Sequence, residues 1–258
     1  MKIVLLGSGN VATHLGKALK QVGHVILQVW SRSEAHAEEL ARELDAASSA
    51  NIYDIIPDAD LYIISISDDA ITELAATLKL KDKLLVHTSG SVDISVLSGV
   101  SNRIGVLYPL QTFSKFKDVA FSEIPLAVEG STPAIEEQLV KVAEQLTTKV
   151  LKLDSEKRKA LHVAAVFACN FTNHLYAIAN QILKEHGLSF DLIRPLIAET
   201  AAKVQAADPE AVQTGPAVRN DIRVIDKHVD FLQDHPFLKD LYEQLSKSII
   251  KAHHTSQP

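Results

Sequence analysis

Short aliphatic runs recur through the first 153 residues, with stretches of helical periodicity between them. The runs at 2–6, 24–30, 61–66, 83–87, 103–107, 125–128 and 149–153 read as strands. Several are apolar at consecutive positions, as strands covered by helices on both faces must be. Residues 12–22, 33–44 and 134–147 follow a period of three to four and read as helices. A further short strand is expected near Ala46. Alternation of strand and helix predicts an α/β fold with a doubly wound, mainly parallel sheet. After Asp154 the pattern changes. Residues 155–186 contain neither proline nor glycine, and His186-Gly187 supplies a stop signal. Leu161, Ala165, Ala168, Thr172, Leu175, Ala179 and Ile182 fall at steps of three and four, predicting one helix face of small and aliphatic residues. Further helices are expected over 190–207, 221–233 and 236–251. The pattern therefore divides the chain into an α/β domain, 1–154, and an all-α domain, 155–258.

The 258 residues suit two such domains. The net charge of −6 comes without any basic block, which argues against a nucleic-acid partner. The one cysteine, Cys169, builds neither a disulfide framework nor a thiolate metal site and suits a reducing cytoplasm. No metal-ligand spacing is found. The first apolar run is too short for a signal-peptide core, and no window nears the roughly 20 apolar residues of a membrane span.

Gly7-Ser8-Gly9-Asn10-Val11-Ala12 sits between the first strand and the first helix. In this GxGxxA pattern the first glycine permits a tight turn and the second lets backbone approach a pyrophosphate. The alanine keeps helix and strand close. A helix N-terminus offers free N–H groups to phosphates. These features predict a Rossmann-type dinucleotide site. NAD-selective sites usually carry an acid at the end of the second strand, but here the chain reads Trp30-Ser31-Arg32-Ser33. Arg32 can fork onto a 2′-phosphate, with Ser31 and Ser33 donating hydroxyls, which favours NADP. The alternative is that a serine caps the next helix and Arg32 is simply solvated. Ser65, Ser67 and Asp68 follow the fourth strand, and Ser89 and Gly90 follow the fifth. Both loops lie where open α/β sheets bind ligands and are expected to line the ribose and nicotinamide. Asp68 is also a candidate helix N-cap.

The segments GSGNVATHL, VWSRS, SISDDAI, HTSGS and YPLQTF, together with RKALHVAAVFACNF and TGPAVRNDIRVIDKH, resemble Rossmann-like proteins with a DUF2520 C-terminal domain. The resemblance spans nearly the whole chain. More distantly the chain is similar to pyrroline-5-carboxylate reductases, ketopantoate reductases, F420-dependent NADP reductases and β-hydroxyacid dehydrogenases. What these imply is hydride transfer with an NAD(P) cofactor, and a helical second domain of a kind that often dimerises, so that a homodimer is expected. One departure is clear: β-hydroxyacid dehydrogenases carry a lysine and an asparagine four residues apart, whereas here Lys159 is followed by Val163.

A reductase of this kind needs a proton donor, a group that orients the carbonyl or imine, and a cation for a substrate carboxylate. His162 is the candidate donor, since imidazole titrates near neutral pH. Asn170 is the candidate for the substrate oxygen. On one α-helix the two would lie ~12 Å apart along the axis, so only a bound molecule could bridge them. Arg219, in a turn before a helix that Asp221 or Asn220 caps, is the candidate for a substrate carboxylate. The alternative in each case is a polar group satisfied within the structure. The expectation is an NADP-dependent oxidoreductase that reduces a C=O or C=N bond of a small carboxylate metabolite, with ketopantoate-like acids as the first candidates. The rival is a dinucleotide-binding sensor or scaffold without turnover.

Overall fold

The computed structural model describes residues 1–114 and 119–254. β1 (Lys2–Leu6) leads into α1 (Asn10–Gln21), β2 (Val25–Trp30), α2 (Glu34–Leu44) and β3 (Ala47–Ser49). The chain then crosses back through β4 (Leu61–Ile64), α3 (Asp68–Thr77), β5 (Leu84–His87) and β6 (Arg103–Pro109). It continues as β7 (Leu126–Gly130), α4 (Pro133–Glu144) and β8 (Val150–Lys152). These strands form one sheet in the order β3-β2-β1-β4-β5-β6-β7-β8. All neighbours are parallel except β6 and β7, which run antiparallel.

The consecutive apolar positions have a direct cause. Ile3 and Leu5 enter one buried cluster, while Val4 and Leu6 enter another on the opposite face. Leu61 and Ile63 divide from Tyr62 and Ile64 in the same way. Both faces of the sheet are thus covered, and a strictly alternating sequence would leave a polar row under helices. The predicted short strand near Ala46 is β3. The strand expected at 103–107 runs on to Pro109, which brings Tyr108 into the sheet.

The compact units divide after Leu175, giving Met1–Leu175 and Tyr176–Pro258. Asp154 marks where the sheet ends and helices begin. The helix that follows, α5 (Ser155–Ala165), belongs with the first unit. The expected uninterrupted α-helix over 155–186 is corrected by a π-helical turn, Val166–Phe171, before α6 (Thr172–Glu185). Thr172 Oγ1 donates to the Phe167 carbonyl five residues back, at 3.2 Å, within this wider turn. A π-turn shifts the phase of everything after it, so the seven residues spaced by threes and fours do not make one face.

The second unit contains α7 (Arg194–Ala206), α8 (Ile222–Phe231) and α9 (Pro236–His254). Asp221 caps α8 by accepting from the Val224 N–H at 3.3 Å. His228 and Tyr242 tie α8 to α9 through a 2.7 Å hydrogen bond. Among the described residues, no helix is long and apolar enough to cross a membrane.

Candidate active site

The strand order reverses at β1. The chain leaves it on one side toward β2 and β3 and returns on the other at β4. A crevice opens at such a point beyond the carboxyl ends of the strands. Gly7 and Ser65 follow the two strands, and their backbones touch there. Gly7 has φ +134°, and a Cβ built on it would lie 2.0 Å from the Ser65 carbonyl oxygen. Only glycine fits on both counts.

Gly9 is different. A Cβ there would meet nothing within 4 Å, so packing does not demand glycine at this position. The space above it is open at the N-terminus of α1. Among the described residues that helix has no side-chain cap and no acid in its first turn, which leaves its leading N–H groups for another acceptor. This donor set and open cradle fit a pyrophosphate.

A cavity of about 530 Å³ runs from this turn past Ser8, Gly9, Asn10 and Val11 to Ser65, Ser67, Asp68, Ser89 and Gly90, and ends against Tyr108, Gln111 and His162. A second cavity of about 220 Å³, between Trp30, Ser31, Ala70 and Thr77, shares Arg32 and Ile66 with the first. Arg32 is exposed and stands where the two meet. The two cavities therefore adjoin along Arg32 and Ile66, and the larger one is a groove that Arg32 helps to line.

Most of the small hydroxyls in the groove are paired with one another. Ser8 Oγ donates to Ser31 Oγ at 2.9 Å, and Thr88 Oγ1 donates to Ser65 Oγ at 3.1 Å. Ser89 Oγ accepts from the N–H groups of Ser91 and Val92 at 3.1 and 3.0 Å. Ser33 caps α2, as the alternative reading had it, and lines neither cavity. Asp68 is the first residue of α3, not its cap. Ser67 holds the cap position, and the Asp68 carboxylate accepts a hydrogen bond from the Ser91 hydroxyl.

At the far end of the groove the Tyr108 hydroxyl lies 2.9 Å from His162 Nδ1, with the two rings edge to face. Burial, reinforced by the nearby Asp68 carboxylate, pushes the Tyr108 hydroxyl above its ordinary value, so it keeps its proton at neutral pH. The pair leaves no room beside it. A Cβ on Gly90 would come within 2.6 Å of His162 Nδ1 and 2.8 Å of Tyr108 Cζ.

Of the residues expected to carry chemistry, His162 lines this groove. Asn170 lies on the π-turn, is exposed, and is not among the groove residues. Arg219 is exposed in the second unit. Tyr108 lies in the YPLQTF segment of the resemblance, and its pairing with His162 depends on a contact between residues 54 positions apart. Arg158 was not singled out at all, yet it is the largest fully buried side chain, 1% exposed.

A Rossmann-like domain model matches residues 1–112, and the model of a domain of unknown function, DUF2520, matches 124–249. A candidate NADP oxidoreductase from Bacteroides fragilis is 46% identical, covers 97% of this chain and 98% of its own, and superposes with a TM-score of 0.91. The chain belongs to the DUF2520 family of Rossmann-like proteins. More remote structures share the fold of this DUF2520 protein. An imine reductase from Myxococcus stipitatus, solved with NADP+, is 20% identical over 98% of this chain and 96% of its own, with a TM-score of 0.67. A reductive aminase from Aspergillus terreus, solved with NADPH, is 17% identical over 98% and 96%, with a TM-score of 0.72. No curated protein matches the DUF2520 chain.

Proposed function

We propose that this protein is an NADP(H)-dependent oxidoreductase that reduces a C=O or C=N bond in a small carboxylate-bearing metabolite. Ketopantoate-like 2-oxo acids are the first to assay. One observation carries the reading: a single groove joins the uncapped N-terminus of α1 and Arg32 to the Tyr108–His162 pair. The 46% identical NADP oxidoreductase candidate supports the same cofactor.

NADPH, when bound, supplies the hydride. The N–H groups at the start of α1 hold the pyrophosphate, and Arg32 holds the 2′-phosphate. Ser89 and Gly90 form the floor under the reacting end. The Tyr108 hydroxyl gives its proton to the oxygen or nitrogen of the reduced bond, and His162, when doubly protonated, returns one from Nδ1, 2.9 Å away, and ends as neutral imidazole. In this reading the enzyme works in the cytoplasm, as a homodimer.

Fluorescence titration is expected to give NADPH binding at least tenfold tighter than NADH, with Arg32→Gln removing the difference. Turnover is then measured on 2-oxo acids and cyclic imines. Tyr108→Phe and His162→Gln should lower kcat by about a hundredfold or more while leaving NADPH affinity within twofold. Binding of neither nucleotide discards the proposal. A second reading, a dinucleotide sensor without turnover, is favoured by Val163 standing where the β-hydroxyacid dehydrogenases place their asparagine. Tight NADPH binding with no turnover across the panel would select it.

A further inference from the structure

Arg158 is buried in a structure whose other arginines are exposed or only partly covered, and every nitrogen of its guanidinium is engaged. Nε donates to the Ser89 carbonyl at 3.2 Å. Nη2 donates to the Val92 carbonyl and to Ser155 Oγ, the latter at 3.2 Å. Nη1 pairs with the Glu129 carboxylate. That carboxylate is itself fixed: it accepts from the Ser155 N–H at 3.0 Å and from Ser155 Oγ at 3.0 and 2.9 Å. Glu129 sits in β7, Ser89 and Val92 in the loop after β5, and Ser155 at the start of α5. One side chain thus fastens three separate parts of the chain.

The two carbonyls it holds flank Gly90, whose missing Cβ is what lets His162 and Tyr108 approach. His162 lies four residues after Arg158 on α5, on the same side of the helix. The clamp therefore sets both members of one close approach, the loop beneath and the imidazole above. Among the described residues, no hydrogen bond joins Gly7–Asn10 or Arg32 to Arg158, Glu129, Gly90 or His162.

We infer that Arg158, anchored by Glu129, is the positioning residue of the site: it aligns the Ser89–Gly90 loop and His162 with Tyr108, and so governs the proton-donating pair without binding the cofactor. This rests on the assignment of Tyr108 and His162 as that pair. A purely structural arginine would be replaceable wherever the fold survives. A positioning arginine is not, because lysine offers one point charge where the fork reaches two carbonyls and a carboxylate at once.

The test compares Arg158→Lys, Arg158→Met and Tyr108→Phe with the unaltered chain. The His162 ring 15N chemical shifts report the pairing without any need for turnover. Arg158→Lys, chosen because it keeps the charge beside Glu129, is expected to fold and to show the His162 shifts of Tyr108→Phe. Its NADPH affinity should stay within twofold, and its kcat should fall at least tenfold. Lys157→Ala, exposed one position earlier, should change none of these. His162 shifts in Arg158→Lys equal to those of the unaltered chain would overturn the inference, whether or not Arg158→Met folds. If the unaltered chain binds no NADPH, the enzymatic reading fails alone, and the 15N comparison still decides the role of Arg158.

Discussion

His87 shows how strongly one side chain can be shaped by its surroundings. It ends β5 with no exposure, and the Ser89 N–H donates to its Nδ1 at 3.2 Å. Burial, followed by the Arg158 guanidinium, lowers its pKa from 6.5 to about 4. An unfolded chain takes up this proton as the pH falls through the ordinary imidazole range, whereas the folded chain resists until far lower. Between those values the unfolded state holds more protons, so stability falls as pH falls. A gap of this size corresponds to about 3 kcal/mol, present in full at neutral pH and lost by the time the folded imidazole titrates. Urea denaturation at pH 7 and pH 4.5 should therefore show a steeper loss in the unaltered chain than in His87→Asn, whose amide oxygen can still accept from Ser89. Equal slopes in the two proteins would mean that His87 is not the group responsible.

At the scale of elements, α1 and α2 begin in contrasting ways. Ser33 caps α2 by accepting from the His36 N–H, while Gly9 leaves α1 without a side-chain cap. Gly9 has φ −76°, a conformation any residue adopts, and empty space where a Cβ would be. Gly9→Asp should therefore cap α1, adding a few tenths of a kcal/mol to the stability of the nucleotide-free protein. The same carboxylate would fill and charge the space assigned to a pyrophosphate, and NADPH binding should disappear. A variant that is destabilised, or that still binds NADPH, would count against the assignment of this turn. The glycine turn was legible from sequence because its signal is local: strand, turn and helix are contiguous. The strands were legible for the same reason, since burial on both faces leaves unbroken aliphatic runs. The π-turn at Val166–Phe171 was not, because it changes the phase of a helix without changing its composition. The roles of Tyr108 and Arg158 as paired side chains were also hidden. Their meaning depends on His162 and Glu129, 54 and 29 residues away, and a lone arginine in a helix ordinarily reads as a solvated charge.

The second unit poses a question for the molecule as a whole. Helix α7 spans 13 residues, and none of them is buried. Leu196 on this helix and Leu192 just before it are each 66% exposed, and Phe237 on α9 is 71% exposed. A helix of this length gains little from intrinsic propensity in water and normally depends on burying one face. Large aliphatic and aromatic side chains left in solvent on these helices give a reason to expect a surface that associates. A second copy of the chain is the proposed cover, consistent with the homodimer assigned above. Light scattering at micromolar concentration should then give twice the chain mass of 28.2 kDa. The melting temperature should rise with protein concentration, because association stabilises only the folded state. Leu196→Glu should shift the protein toward monomer and remove that dependence, while the sheet-bearing unit keeps its NADPH site. A monomer at all concentrations, melting cooperatively and independently of concentration, would instead require that α7 is stable with its apolar side chains in water.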